Sequence, residues 1–255
     1  MKLSMVMQVI INLSLCFIMC FSNSVLSGII DFETTATGAV PTDNQVIGLN
    51  DNFSADGVLV SFGFDTTGNG VTDSEGVFEA IAGGEESGNS GFQSLYTGKY
   101  DIPEPNSANL LGGFFLRQQN AYQPFGTFHI NYTADNPVTE ASGEVWDIDG
   151  KPSKTEQFFV EAYNDDTLLD SMASPLGDNK DLDGMPWAFG FENLTNITRI
   201  EITFTGSKTK GIGLAFNNFS PVEDISVQTN SISEPSTMGI FSMVIIGFML
   251  RRYKL

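Results

Sequence analysis

The chain has 255 residues, with 31 Asp and Glu against 12 Lys and Arg and a single His, for a net charge of −19. Four of the bases (Lys2, Arg251, Arg252, Lys254) and one acid (Glu234) lie in the end segments, which leaves eight bases against 30 acids between Gly28 and Ser233. Phosphate backbones and anionic lipid heads are bound by clustered Lys and Arg, so this body argues against a nucleic-acid partner and against docking on an anionic membrane surface.

The first 27 residues predict a secretory signal peptide. Lys2 is a minimal basic start, Met5 to Phe21 is apolar apart from Gln8, Asn12 and Ser14, and small residues follow at Ser22, Ser24 and Ser27. That order of parts implies Sec-type export with cleavage after Ser24 or Ser27; an uncleaved N-terminal anchor is the alternative. Both cysteines, Cys16 and Cys20, fall inside this segment, so the exported body has none. About 200 remaining residues suffice to bury a core without disulfides and fit one domain.

From Gly28 onward, short apolar runs alternate with turns rich in Gly, Asn, Asp and Thr. In Val58–Phe64, Val58, Val60, Phe62 and Phe64 share a face. In Gly126–Thr133, Phe128, Ile130 and Tyr132 oppose Thr127, His129, Asn131 and Thr133. In Arg199–Thr205, Ile200, Ile202 and Phe204 oppose Arg199, Glu201 and Thr203. Period-two alternation predicts antiparallel strands with one buried and one wet face. Further strands are expected at Gly28–Glu33, Val77–Ala82, Phe92–Thr97, Gly113–Arg117, Gly143–Ile148, Gln157–Ala162, Leu168–Met172, Trp187–Glu192, Ile212–Phe216 and Ile225–Gln228. No long segment keeps helical spacing. The fold class is therefore all-β: an antiparallel two-sheet β-sandwich over 28–220, jelly-roll-like in topology, then a polar linker over 221–232.

Few residues along the body suggest chemistry. The Asp65–Asp73 loop places oxygen side chains at Asp65, Thr67, Asn69 and Asp73 and a Gly at Gly70, the spacing at which a calcium loop turns, although Gly76 stands where a bidentate Glu belongs. Asp65, Asn69 and Asp73 are thus candidate Ca2+ ligands, with an ordinary Gly/Asn hairpin loop as the competing reading. His129, on a polar strand face, reads as a surface His. Trp146-Asp-Ile-Asp149 is the best acid pair for a polysaccharide-acting enzyme; Asp147 and Asp149 would share one face of a strand, with Trp146 facing the core. Tyr100, Tyr122 and Trp187 are candidates for a sugar-stacking edge, with packing under loops as the plainer alternative.

The end of the chain is the most specific stretch. Glu234, Pro235, Ser236 and Thr237 precede Met238 to Leu250, where Ser242 is the only polar side chain, and Arg251 and Arg252 follow at once. As a helix, Thr237 to Leu250 is about 20 Å long, short against a bilayer core of about 30 Å, but basic side chains reach to the headgroups and place the last residues in the cytoplasm. This order over 233–255 resembles the PEP-CTERM sorting signal, with Ser233 where that motif starts with Pro. The resemblance implies an exported protein of an exopolysaccharide-producing Gram-negative bacterium. It also implies a transient membrane anchor, processing by an exosortase-type membrane enzyme, and a final place at the cell surface or in the extracellular matrix.

The opening Ile29–Glu33 and the closing Gly213–Ser220 resemble the first and last strands of lectin-like, carbohydrate-binding jelly rolls. That likeness implies a structural Ca2+ between those strands, held here by Glu33 and Asn217. The expectation is a non-catalytic surface or matrix protein. A calcium-dependent module binding extracellular polysaccharide and a polysaccharide-acting enzyme are the alternatives.

Overall fold

The computed structural model describes residues 28–80, 111–119, 126–178, 184–209, 212 and 215–224, together with the backbone of 93–94 and 99–100. The signal peptide over 1–27, the strand expected at Ile225–Gln228 and the sorting segment 233–255 lie outside the described residues.

The strands are β1 (Val46–Ile47), β2 (Phe53–Ala55), β3 (Val58–Asp65), β4 (Gly76–Ala80), β5 (Gln93–Ser94), β6 (Lys99–Tyr100), β7 (Phe114–Gln118), β8 (Thr127–Thr133), β9 (Val138–Trp146), β10 (Phe158–Asn164), β11 (Thr167–Ala173), β12 (Pro186–Phe191), β13 (Arg199–Phe204) and β14 (Ala215–Glu223). They form two six-stranded antiparallel sheets, ordered β1-β4-β7-β14-β9-β12 and β11-β10-β13-β8-β3-β2, and a separate β5-β6 pair.

Alternation sets which side of each strand is dry. Phe62, Phe64, Phe128, Ile130, Phe158, Val160, Ile200 and Ile202 of the second sheet share one core with Phe78, Leu116, Val145, Phe189, Phe216 and Phe219 of the first. The rings meet across the gap: Phe128 stacks on Phe216 with centroids 4.4 Å apart, and Phe62 tilts against Phe219 at 5.2 Å. Phe carries no polar edge that needs a partner, so it fills a sandwich core without a hydrogen-bonding cost. The all-β, two-sheet sandwich is as the alternation predicts.

Three expectations change. Gly28–Glu33 is not a strand. Ile30 alone pairs with Phe219 (N–H to O, 2.8 and 3.0 Å), and Phe32 takes the left-handed conformation at φ 58°. That costly geometry is held by burial: the Phe32 ring packs edge-on against Phe53, Phe62, Phe78 and Phe219. Past the turn at Phe32, Glu33 reaches the start of β7, where its side chain meets the N–H of Phe114.

The closing strand is also longer than expected. β14 runs through Pro221, Val222 and Glu223, which pair with Ala141, Glu140 and Val138, so three residues assigned to the linker are in the sheet. It carries a bulge in which Asn218 (φ 55°) and Phe219 oppose the single residue Gly143. A Cβ on Gly143 would lie 2.4 Å from the Phe219 ring, so only glycine fits there.

Finally, β9 ends at Trp146 rather than Ile148, because Asp147 turns left-handed at φ 63°. Asp147 and Asp149 therefore do not share a strand face.

Candidate functional site

The Asp65–Asp73 loop leaves the end of β3 and folds back over the outer face of the second sheet. Asp65 is nearly buried and spends its carboxylate on the loop's own backbone. Oδ1 accepts from the N–H of Thr67 (3.0 Å) and Gly68 (2.7 Å) and from the Thr67 hydroxyl (3.2 Å), while Oδ2 accepts from Gly70 N–H (2.6 Å). Burial raises its affinity for a proton, but these N–H dipoles outweigh that and hold the carboxyl below its ordinary range. Asp73 Oδ1 accepts from the Thr66 N–H and hydroxyl at 2.9 and 2.8 Å, which likewise lowers its carboxyl. Asn69 Oδ1 accepts from Val71 N–H at 2.9 Å. Each of these three side chains thus accepts a backbone N–H of the loop, and for the two Asp residues this is the anion-in-a-nest arrangement.

The loop's far side explains His129. The ring is 1% exposed, not on a wet face. Thr72 donates to or accepts from Nδ1 at 3.0 Å, and room for Thr72 exists because Gly63 pairs with His129 across β3 and β8; a Cβ on Gly63 would lie 2.4 Å from Thr72 Cγ2. Nε2 lies 3.6 Å from Glu201 Oε1, whose own close partner is Arg199 Nε at 2.7 Å. Loss of solvent lowers the His129 pKa against the pull of Glu201, so the ring is neutral. Strand alternation assigned His129 to the correct face; the loop folded onto that face, which buries it, is a non-local contact.

Glu33 and Asn217 meet the same short turn. Glu33 Oε1 accepts from the N–H of Gly113 (2.6 Å) and Phe114 (3.0 Å), and Asn217 Nδ2 donates to the Leu111 carbonyl at 2.8 Å. Asn217 is fully buried, and its Oδ1 has no hydrogen-bond partner among the described residues. An orphaned buried amide oxygen is the kind of donor a hard cation such as Ca2+ takes, although the Leu111 carbonyl accepts from the Asn217 amide nitrogen and Glu33 Oε1 already holds two N–H groups. Among the described residues, no group of three or more His, Cys, Asp or Glu converges to hold a metal ion.

Trp146 is fully buried, but against Leu111, Phe115 and Ala215 rather than in the main core; its Nε1 donates to Glu144 Oε2 at 2.9 Å. Trp187 packs beside the main core with its ring 6.1 Å from Phe189. Tyr122 lies outside the described residues, and Tyr100 is described by its backbone alone. Asp147 is buried and its Oδ1 accepts from Gly184 N–H at 3.0 Å. Asp149 instead turns to Lys208, whose Nζ lies 2.9 Å from Asp149 Oδ1 and 2.5 Å from Glu156 Oε1. Sequence reading did not single out Glu156 or Lys208. They lie 52 residues apart and are brought together by the β10–β13 pairing and the turn that continues it, and no local pattern marks them.

Burial pushes the Glu156 carboxyl up to about 8, against the pull of Lys208. Desolvation works against the Lys208 ammonium, but Glu156 and Asp149 outweigh it and raise its pKa. A second buried ion pair among the described residues, Arg117 Nε on Glu79 Oε2 at 2.6 Å, is embedded in further bonds: Arg117 also donates to the Gln118 and Gln119 carbonyls and to Asn44 Oδ1.

In comparison with known proteins, no family model and no curated protein matches this chain.

Proposed function

We propose that this protein is a non-catalytic, exported β-sandwich that reaches the cell surface or extracellular matrix through a Sec-type signal and a PEP-CTERM-like tail handled by an exosortase-type enzyme. The reading is carried by the sequence order of Glu234 to Thr237, the apolar run to Leu250 and the Arg251-Arg252 block. The body supports it in kind. Asp65, Asp73 and Asp147 each bind backbone N–H groups, which is a scaffold's use of acids rather than a reaction site's. Fractionation tests the reading: the chain is expected in the envelope or outside the cell, and removal of 233–255 should release it from membranes. Recovery of intact protein in the soluble cytoplasm would overturn it.

A second reading is favoured by the orphaned Asn217 Oδ1. It is a jelly-roll-like, calcium-dependent carbohydrate module in which Glu33, Asn217 and the Leu111 carbonyl would hold the ion. Bound only by the folded state, Ca2+ should raise the melting temperature as its free concentration rises. Asn217→Ala should abolish that rise while Asp65→Ala preserves it. A melting temperature that ignores both Ca2+ and chelator would defeat this reading and leave the first intact.

A further inference from the structure

We propose that Lys208 and Asp149 close an intramolecular isopeptide bond, with Glu156 as the acid–base group that moves the protons. Lys208 Nζ sits between two carboxyls, 2.9 Å from Asp149 Oδ1 and 2.5 Å from Glu156 Oε1. The second distance is a close ion-pair contact without the alignment of a hydrogen bond, since Glu156 Oε1 has no hydrogen-bond partner in the usual geometry. Glu156 is completely buried, and its Oε2 also accepts from the Asp149 N–H at 3.3 Å, so it spans the backbone of one reactant and the side chain of the other.

The three groups are held by backbone, not by chance rotamers. The turn that carries Lys208 is pinned to the start of β10: Lys208 N–H donates to the Thr155 carbonyl (3.0 Å), Thr205 N–H to the Gln157 carbonyl (2.8 Å), and Ser207 Oγ bonds both the N–H and the hydroxyl of Thr155. Two close approaches depend on glycine. A Cβ on Gly206 would lie 2.3 Å from the Thr155 carbonyl oxygen, and one on Gly150 the same distance from that of Gly177. Glu156 itself is fixed by reciprocal backbone bonds with Gly177.

An ordinary ion triad would leave this site with one charge too many: two carboxylates against one ammonium, mostly out of water. Burial resolves this by keeping Glu156 protonated. The site then holds a carboxylate, an ammonium and a neutral acid, which is the complement needed for amide condensation. Glu156 gives its proton to the Asp149 carboxylate and takes one from the Lys208 ammonium, so that all three groups are neutral. The Nζ lone pair attacks Cγ of Asp149, the new N–C bond forms, and the carbonyl electron pair moves onto oxygen. Glu156 passes a proton from nitrogen to the departing hydroxyl, the C–O bond breaks, and one water leaves. One N–C bond replaces one C–O bond, no electrons change hands, no co-reactant is needed, and Glu156 ends as it began. Pre-positioning supplies the drive, because effective molarities for aligned intramolecular pairs reach about 10⁵–10⁸ M. For an exported chain whose only cysteines precede residue 28, such a bond would close the 59-residue separation between Asp149 and Lys208 as a disulfide would.

The test is peptide mass spectrometry on protease-digested full-length protein purified from its native cells. The expected product is the peptide containing Asp149 joined to the peptide containing Lys208, lighter by one water than the two apart. Protease should also fail to cut after Lys208. In Glu156→Gln, checked for a β-sheet circular dichroism spectrum, the two peptides should be recovered separately, as they should in Lys208→Arg. Recovery of separate, full-mass peptides from the wild-type chain would overturn the proposal. A bond that forms as completely in Glu156→Gln would overturn the role given to Glu156.

Discussion

The Asp65–Asp73 loop and the Asp149–Glu156–Lys208 corner are both acidic, and they use their carboxylates in opposite ways. In the loop, acids face backbone N–H groups: Asp65 alone accepts from three of them. In the corner, both acids face one ammonium. The loop stays charged because its donors are fixed dipoles that come with the turn. The corner has lost its water, so one acid keeps its proton. An acidic composition therefore says little about chemistry; what each oxygen faces decides it.

The largest contrast should come from removing the central cation. Lys208→Ala takes away the nitrogen that both acids contact and leaves the Asp149 carboxylate partly buried without its partner, and breaking such a pair typically costs about 3 kcal/mol or more. Because Asp149 and Lys208 side chains are 24% and 18% exposed, we expect the low end of that scale. Urea denaturation of wild type and variant checks this; equal midpoints would show that the corner is energetically idle.

Next in size is a pH effect of opposite sign in the two regions. Glu156 is raised from an ordinary carboxyl to about 8 in the folded chain, with burial as the main cause and Lys208 pulling the other way. The folded state then binds a proton that the unfolded state releases, so stability falls as pH rises from about 4.5 to about 8 and levels off beyond. Asp65 is lowered, so its contribution is present above the ordinary carboxyl range and is lost as pH falls through its folded value. Melting curves across this range should show the falling limb in wild type and lose it in Glu156→Gln, while the acid limb remains.

Much of the fold was legible because strand alternation is a local signal. Val58–Phe64, Thr127–Thr133 and Arg199–Phe204 each advertise a dry face, and each became a strand of the second sheet. The exceptions are non-local. Phe32 has to turn left-handed to place its ring among four other Phe side chains, which nothing in Ile29–Glu33 reveals. Pro221 seemed to end the last strand, yet its missing N–H is tolerated and pairing with β9 continues past it. His129 was assigned to the right face but the wrong environment, since Thr72, 57 residues away, covers it. Trp146 is buried, as expected, but on the far side of its sheet from the main core, because a separate small cluster forms there. The corner left no trace in the sequence: Asp149 stood out only beside Trp146, and Glu156 and Lys208 acquire meaning only once β10 pairs with β13.

The smallest expected effect sharpens the comparison most. Asp65→Ala removes every acceptor that organises Thr67, Gly68 and Gly70, but their N–H groups lie at the surface, where water can replace the lost bonds. The loss should resemble that of a helix N-cap, about 1 kcal/mol. Asp65→Asn keeps one oxygen for Thr67 and Gly68 and gives up the charge, so it should fall between wild type and Ala. The effect should also be felt at a distance. The loop holds Thr72 on His129 Nδ1, so loosening it admits water to a ring that is now 1% exposed. Desolvation is the first cause of the lowered His129 pKa and the Asp65 charge a smaller upward one, so the value should move up toward its ordinary range in Asp65→Ala relative to Asp65→Asn, which loses the same charge but keeps part of the loop. Because the protein has one His, a histidine proton NMR titration reads this without assignment. The same His129 titration in both variants alongside a destabilised loop would show that the Thr72 contact survives without Asp65. The cap and the cover would then be separate devices that happen to share one loop.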